Sequence, residues 1–382
     1  MSLALDRGEE AVLILLDFSS AFDSISHAIL FERLQNRYGI HGTVLNWCIS
    51  YLEDRKQAIV INDTFSDDFS LPWGVPQGSV KGLLDFIMYT APLSDIINAH
   101  GVHHVIYADD TQLFVTMKSS HHSNVISKLE SCIADVRSWA TKNKLMINDS
   151  KTEMVHFHSK FRPCSHLPAM KIGESVVHVS SSARDLGVTL DDTLQLGEHV
   201  RNISRKASFG IYKIGCIRKY LDQSSTERLI HAFVSSHLDC NNSLLYNLPN
   251  TVLSPLQRIQ NSAARLITGT KRHQHITPVL RDLHWLPVKD RIIFKLLLLT
   301  YKAIHGIAPT YICDLVSLSS NISLRSSNLL TLRPGPLVKT TYYGNRAFTV
   351  VAPKLWNSLP TSIRLAKTVQ QFKTLLKTHL FN

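Results

Sequence analysis

The first patterned stretch, AVLILLD (Ala11–Asp17), is an unbroken apolar run that ends in an acid, and it reads as a buried strand with a carboxylate at its C-terminal end. From Ser24, the run SISHAILFERLQNRYGI places Ile25, Ala28, Ile29, Leu34 and Tyr38 at helical spacing, with Gly39 as its C-cap. A second helix is predicted over Val44–Leu52. KQAIVI and DDFSLP, separated by NDTFS, read as a hairpin. The loop Gly74-Val75-Pro76-Gln77-Gly78-Ser79 runs into a helix of about twenty residues that ends near His100-Gly101. Apolar runs Val102–Tyr107 and Thr111–Met117 flank Ala108-Asp109-Asp110, which predicts a tight hairpin. Residues 122–142 read as helix, and KLMIN and TEMVHF as strands. This order is that of an α+β domain, an antiparallel sheet with helices on one face. After short strands near 170–190 the pattern turns helical, over 196–219, 224–237, 252–268, 288–304 and 368–380. Pro- and Gly-bearing breaks fall at Leu248-Pro249-Asn250, Gly306–Pro309 and Arg333–Pro336.

Composition adds an asymmetry. The 382 residues are 44% hydrophobic and 19% charged, values of a folded chain with room for two or three domains. The net charge of +11 is unevenly spread: residues 1–115 hold 6 Lys and Arg against 15 Asp and Glu, residues 116–382 hold 35 against 15. An acidic first part joined to a basic second part suggests a cation-binding centre beside a polyanion-binding surface; diffuse basic surface is the plain alternative. The six cysteines are scattered, with no CxxC and no zinc-type Cys/His spacing, and read as reduced thiols of an intracellular protein, nuclear or cytoplasmic. No apolar run approaches the ~20 residues of a membrane span. Acidic residues stand where a signal peptide needs a basic start, so no secretion is expected.

Two strands that end at the same sheet edge would bring Asp17 and the pair Asp109-Asp110 together, with no basic neighbour in sequence. Like charges so placed repel and raise one another's pKa. A divalent cation with hard oxygen ligands removes that cost, and this is magnesium chemistry. Two such ions about 4 Å apart activate an attacking oxygen and stabilise a leaving one in phosphoryl transfer. Taken alone, the Asp pair also reads as turn chemistry, and Asp17 as a helix N-cap.

The combination narrows the choice. LLDFSSAFDS, GVPQGS and YADD, in this order and at these separations, resemble the palm of reverse transcriptases, specifically those of LINE-type retrotransposons, which lack long terminal repeats. SWATKNKLMINDSKTEMVHF, ARDLGVTLDDTL, LPNTVLSPLQRIQNSAARLITGTKRH, LHWLPVKDRIIFKLLLLTYKAIHG and NRAFTVVAPKLWNSLPTSIRLAKTVQQFKTLL extend the resemblance over nearly the whole chain. It implies a palm over 1–190, a helical thumb-like region over 191–270 and a helical C-terminal region over 271–382. It implies two Mg²⁺ ions (or Mn²⁺) held by Asp17, Asp109 and Asp110, with Asp109 the more direct of the pair. Its substrates would be an RNA template, a DNA primer and a dNTP, with no membrane. Phe18 matches a position whose backbone carbonyl touches a metal. Phe22 matches the steric gate against a ribose 2′-oxygen, and plain core packing is its alternative. Gln77 and Gly78 match the loop against the incoming nucleotide and template base, where glycine permits close backbone approach. Lys151 matches a lysine that protonates the leaving pyrophosphate; a surface lysine after a turn is the alternative. Asp23 is assigned to the N-cap of the following helix.

The chain also departs from the family pattern. The fingers region that precedes LLDFSSAFD in the family, and the endonuclease upstream of it, have no counterpart before this motif, so the sequence resembles a 5′-truncated copy. Lys81, Leu83 and Asp85 stand where the family has apolar residues or proline, and Lys81 and Asp85 are spaced to pair on a buried helix. LDCNNSLL replaces the family's usual LDYCNSLL. Three expectations follow: an RNA-directed DNA polymerase, a catalytically inactive relic that still binds nucleic acid, or an unstable fragment without activity.

Overall fold

The computed structural model describes residues 1–162, 167–173, 175–319 and 330–381; Cys164 lies outside them. A short helix, α1 (Ser2–Arg7), leads through Gly8 in the left-handed region into β1 (Glu10–Leu16). There follow β2 (Phe18–Ser19), α2 (His27–Asn36), α3 (Gly42–Leu52) and the short strands β3 (Lys56–Gln57), β4 (Val60–Ile61), β5 (Thr64–Phe65) and β6 (Phe69–Ser70). Next come α4 (Val80–Thr90), α5 (Pro92–Ala99), β7 (His103–Tyr107), β8 (Asp110–Met117), α6 (His122–Lys142), β9 (Met146–Ile147), β10 (Glu153–Phe157), β11 (Met170–Ile172), β12 (Ser175–Val177) and β13 (Val179–Ser180). These build an α+β unit, Glu9–Ala183. Its main sheet has the order β13-β10-β1-β8-β7, antiparallel except for the parallel pair β10–β13 at one edge.

The apolar run that predicted β1 makes it the central strand. Val12, Ile14 and Leu16, at the two-residue period of one strand face, join a core with Phe86 and Tyr89 of α4, Leu93 and Ile97 of α5, and Leu129, Ile133 and Val136 of α6. The predicted hairpin forms in two steps, β3 with β6 and β4 with β5, around Asn62-Asp63, both at positive φ as a primed two-residue turn requires. The helix expected to run on from GVPQGS is divided at Ala91-Pro92, where proline starts a new helix. Helix α2 begins at His27 rather than near Ser24, because the Ser24 hydroxyl donates to the carbonyls of Ser20 and Ala21 and holds a turn there. Its N-cap is Ser26, not Asp23.

Buried polar groups tie these helices together. The Arg33 guanidinium of α2 donates to the Tyr89 carbonyl and to Asn143 Oδ1 (2.6 Å), and Tyr89 donates to the Asn143 carbonyl (2.6 Å). Asn143 caps α6 just before β9, so this network holds the approach to β9. On α4, Lys81 and Asp85 pair as their spacing predicts: Lys81 Nζ lies 2.7 Å from both Asp85 oxygens, with side-chain exposures of 13% and 0%. Trp47 and Tyr51 of α3 present their rings to the same ammonium, at 5.8 and 5.2 Å.

The second unit, Met1–Gly8 with Arg184–Asn382, is helical beyond the two-stranded sheet of β14 (Ser182–Asp185) and β15 (Val188–Asp191). Helix α7 (Gly197–Ile217) packs Val200, Ile203 and Ala207 into a core with Leu256, Ile259 and Ala263 of the later helix 250–268. The helix predicted over 224–237 contains a π-helical turn at His231–Ser235 between two shorter α-helices. The pattern does not predict the helix Phe348–Asn357, which carries an internal proline, Pro353. Its Trp356 nonetheless packs with Tyr301 and Phe372 in a second core of this unit. Residues 1–8 join this unit through Asp6, whose carboxylate accepts from the backbone N–H groups of Lys339 (2.8 Å) and Thr340 (2.6 Å) and from the Thr340 hydroxyl (2.7 Å).

Among the described residues no helix is long and apolar enough to cross a membrane. Cys48, Cys132, Cys216, Cys240 and Cys313 are free thiols, and burial pushes the Cys132 thiol up to about 11.

Candidate active site

Strand register brings the singled-out acids to one place. Leu16 pairs with Thr111, so Asp17, one residue on, comes beside Asp110 at the start of β8. Tyr107 pairs with Asp110, leaving Ala108-Asp109 as the two-residue turn between β7 and β8. Ala108 has φ 55°, the left-handed region that primed hairpin turns demand and that a Cβ resists. The turn that presents the acids is therefore strained. Ala108→Gly is expected to raise stability by roughly 0.5–1 kcal/mol, since relief of the Cβ clash exceeds the added chain entropy. Urea unfolding of the two proteins checks this; a loss of stability would refute the strain.

The electrostatics follow from this crowding. The Asp110 carboxyl is held above the ordinary range, first by partial burial and then by the charges of Asp109 and Asp17. The three carboxylates do not close into a trio of donor atoms within 4.8 Å; among the described residues only Glu10, His122 and His156 do so. Asp17 Oδ2 is buried and has no hydrogen-bond partner, although Lys151 Nζ stands 3.2 Å away as an ion pair. That pair is soft: the side chains are 66% and 26% exposed, and the orientation is not that of a hydrogen bond. An all-carboxylate donor set with an unsatisfied buried oxygen fits a hard divalent cation such as Mg²⁺.

Lys151 reaches Asp17 through backbone pairing. Strand β2, directly after Asp17, pairs with β9, and the Asn148 N–H donates to the Asp17 carbonyl at 2.8 Å. A 3₁₀ turn, Asp149–Lys151, then aims the lysine back, and Arg137 of α6 braces that turn by an ion pair to Asp149. Sequence reading singled out Asp17 and Lys151 but missed their pairing, and it missed Asn148, Asp149 and Arg137, which carry no motif of their own.

The remaining candidates lie on β2, in the segment after it and in the loop before α4. Phe18 is buried, with its backbone in β2. Phe22 is half-buried and stacks on Phe86 with ring centroids 4.8 Å apart, so core packing is one of its functions. The segment after it holds the glycine-bearing loop: Val75 N–H donates to the Phe22 carbonyl (2.9 Å), and Gly74 N–H to that of Ile25 (2.8 Å). Gly74 has φ 84° and a Cβ there would meet the Asp23 backbone at 3.0 Å, so no other residue fits without a shift. Gln77 and Gly78 are exposed, just before Ser79, whose hydroxyl caps α4 by accepting from Gly82 N–H.

Known proteins share this arrangement of sequence. The family described as reverse transcriptase (RNA-dependent DNA polymerase) matches residues 2–190. A probable RNA-directed DNA polymerase from transposon X-element of Drosophila melanogaster is 28% identical over 294 residues, 76% of this chain and 32% of that protein. The RNA-directed DNA polymerase from mobile element jockey of Drosophila funebris is 24% identical over 297 residues, with the same shares of 76% and 32%. The chain thus spans about a third of the length of these relatives. Among solved structures, telomerase from Candida albicans in complex with a fragment of telomeric RNA aligns at a TM-score of 0.34 and 13% identity, over 75% of this chain and 47% of that one. Residues 2–190 thus form a domain of the reverse transcriptase family, and over three quarters of its length the chain is similar to the RNA-directed DNA polymerases of Drosophila mobile elements.

Proposed function

We propose that the chain carries the palm of an RNA-directed DNA polymerase that joins a dNTP to a DNA 3′-hydroxyl on an RNA template. The observation that carries this reading is the meeting of Asp17 with Asp109-Asp110 at one end of the β1–β8 pair, with the buried Asp17 Oδ2 atom held by no hydrogen bond, only by a loose ion pair to Lys151. Asp17, Asp109 and Asp110 would hold two Mg²⁺ ions. When bound, such ions activate the attacking oxygen and stabilise the leaving one. In the reaction, the primer 3′-oxygen bonds to the α-phosphorus as its hydroxyl proton passes to solvent water, the α–β bridging P–O bond breaks and pyrophosphate departs. Lys151 Nζ, 3.2 Å from Asp17 Oδ2 and largely exposed, supplies a proton to that pyrophosphate. Phe22 sets its ring against a ribose 2′-oxygen, and the exposed backbone at Gln77-Gly78 meets the incoming nucleotide and the template base.

The domain reading goes with it: palm over 1–190, thumb-like region over 191–270, C-terminal region over 271–382. Support for a polyanion grip comes from α7 and the turn after it. Phe209, Tyr212 and Tyr220 are exposed among Arg201, Arg205, Lys206 and Lys213. Lys213 lies over the Phe209 ring at 4.7 Å and Lys219 over that of Tyr220 at 4.8 Å. Exposed rings interleaved with cations suit stacking and phosphate contact. This surface also favours a second reading, nucleic-acid binding without polymerisation. Incubating the protein with poly(rA)/oligo(dT), Mg²⁺ and dTTP separates the two. Incorporation supports the polymerase; salt-sensitive binding by well-folded protein without incorporation leaves the second reading alone; absence of both incorporation and binding sinks both readings.

A further inference from the structure

At the far end of β1 from Asp17, a buried carboxylate meets two imidazoles for which the polymerase reading has no use. Glu10 is the first residue of β1, His156 lies on the neighbouring β10 and His122 is the first residue of α6. Glu10 and His156 are 5% and 4% exposed. His122 Nε2 is 2.7 Å and His156 Nε2 2.8 Å from the same oxygen, Glu10 Oε2, while Ser119 Oγ donates to Oε1 at 2.7 Å. The two rings stand edge-on at 85°, so their nitrogens converge on that oxygen from different directions. All three donor atoms lie within 4.8 Å of one another.

We infer that Glu10, His122 and His156 form a binding site for a borderline divalent transition metal, of the Zn²⁺ class. Two imidazole nitrogens and one carboxylate oxygen make a donor set that such ions prefer and that Mg²⁺ does not. A tetrahedral ion at ~2.0–2.1 Å from each ligand separates its ligands by roughly 3.3 Å, so the present contacts open by about half an ångström on binding. His122, the first residue of its helix with its side chain 13% exposed, is the least buried of the three and the one placed to make that adjustment by side-chain rotation. Ser119 orients the carboxylate from behind through its second oxygen, as outer-shell partners of metal ligands do. Three protein ligands leave a fourth position for water. The ion would clamp β1 and β10 to the start of α6, segments more than a hundred residues apart in sequence for each contact of Glu10. Glu10 and Asp17 stand at opposite ends of the strand, roughly 23 Å apart at ~3.3 Å per residue, so this site is independent of the aspartates and of the polymerase reading.

The test uses the full chain, stripped of metal and kept in excess Mg²⁺ to satisfy the aspartates. Titration with Co²⁺, an optical stand-in for Zn²⁺, is expected to give the visible absorption of a tetrahedral ion at one equivalent. Zn²⁺ should displace it and raise the melting temperature by several degrees. His122→Gln should weaken the affinity at least tenfold, while Asp109→Ala leaves it unchanged. X-ray absorption of the wild-type Zn²⁺ complex should show two imidazoles and no sulfur, which needs no variant to fold. Absence of the cobalt band in folded protein, a sulfur-ligated ion, or a band indifferent to a folded His122→Gln would each overturn the proposal and leave a hydrogen-bonded cluster without an ion.

Discussion

Asp109→Ala is expected to lower dTTP incorporation on poly(rA)/oligo(dT) by a factor on the order of 10³ or more, because a carboxylate ligand to a catalytic cation stabilises the transition state by several kcal/mol. The residue is well suited to a clean test. It sits in a two-residue turn between β7 and β8, contributes to no core cluster, and its truncation removes one of the charges that raise the Asp110 pKa. Folding stability should therefore change little, or rise slightly as like-charge repulsion is relieved. Nucleic-acid affinity, which the proposed reading assigns to the basic and aromatic surface around α7, should keep its value and its salt dependence. Loss of incorporation with binding intact is the signature of a ligand to the reacting centre. Incorporation within tenfold of wild type would remove Asp109 from the chemistry.

Lys81→Ala should destabilise the protein by about 3–5 kcal/mol, the range for breaking one side of a buried ion pair. The Asp85 carboxylate has no exposure, and both of its oxygens are held by the one ammonium. Burial, the largest influence on it, already raises its pKa despite Lys81 and the charge of His27. The sign of the pH effect follows. A carboxyl whose pKa is higher folded than unfolded binds protons more tightly in the folded state. Its stabilising contribution is complete below the unfolded value and is lost as pH rises through the raised one. Wild-type stability should thus carry a falling slope with pH from this residue, and Asp85→Asn should flatten it. The double change Lys81→Met with Asp85→Leu should recover most of the loss or exceed wild type, since apolar side chains of similar volume need no desolvation. Denaturant midpoints across pH check all three; a Lys81→Ala midpoint equal to wild type would show that Trp47 and Tyr51 alone hold that corner.

Much of the fold was legible where a local period suffices. The continuous apolar run predicted β1 to within a residue, and residues 122–142 were read as a helix with the bounds of α6. The hairpin carrying Ala108-Asp109-Asp110 was legible because apolar runs on both sides leave a two-residue turn as the only economical link. Reading failed where tertiary packing overrules a local signal. Pro353 argues against a helix, yet Trp356 beyond it fills a core with Tyr301 and Phe372, and the helix forms around that anchor. The start of α2 was placed too early because hydroxyl-to-carbonyl bonds at Ser24 compete with helix geometry, a contest that hydrophobic spacing does not register.

The candidate site divides in the same way. Asp17, Asp109, Asp110, Gln77, Gly78 and Lys151 were singled out by strings that resemble a palm only as an ordered set, since alone the Asp pair reads equally as turn chemistry and Lys151 as a surface lysine. Their arrangement was open until the strands were paired, because register fixes which residues of distant segments lie opposite one another. The pairing of Leu16 with Thr111 brings Asp17 to Asp110, and that of β2 with β9 brings Lys151 to Asp17. Glu10, His122 and His156 stand at the far limit of this contrast: three ordinary residues with no motif, made into one cluster only by the sheet and by where α6 begins. Local sequence determined most of the elements and the candidate side chains, since both depend on neighbours along the chain; proximity in space was decided by long-range pairing and burial, which no window of sequence contains.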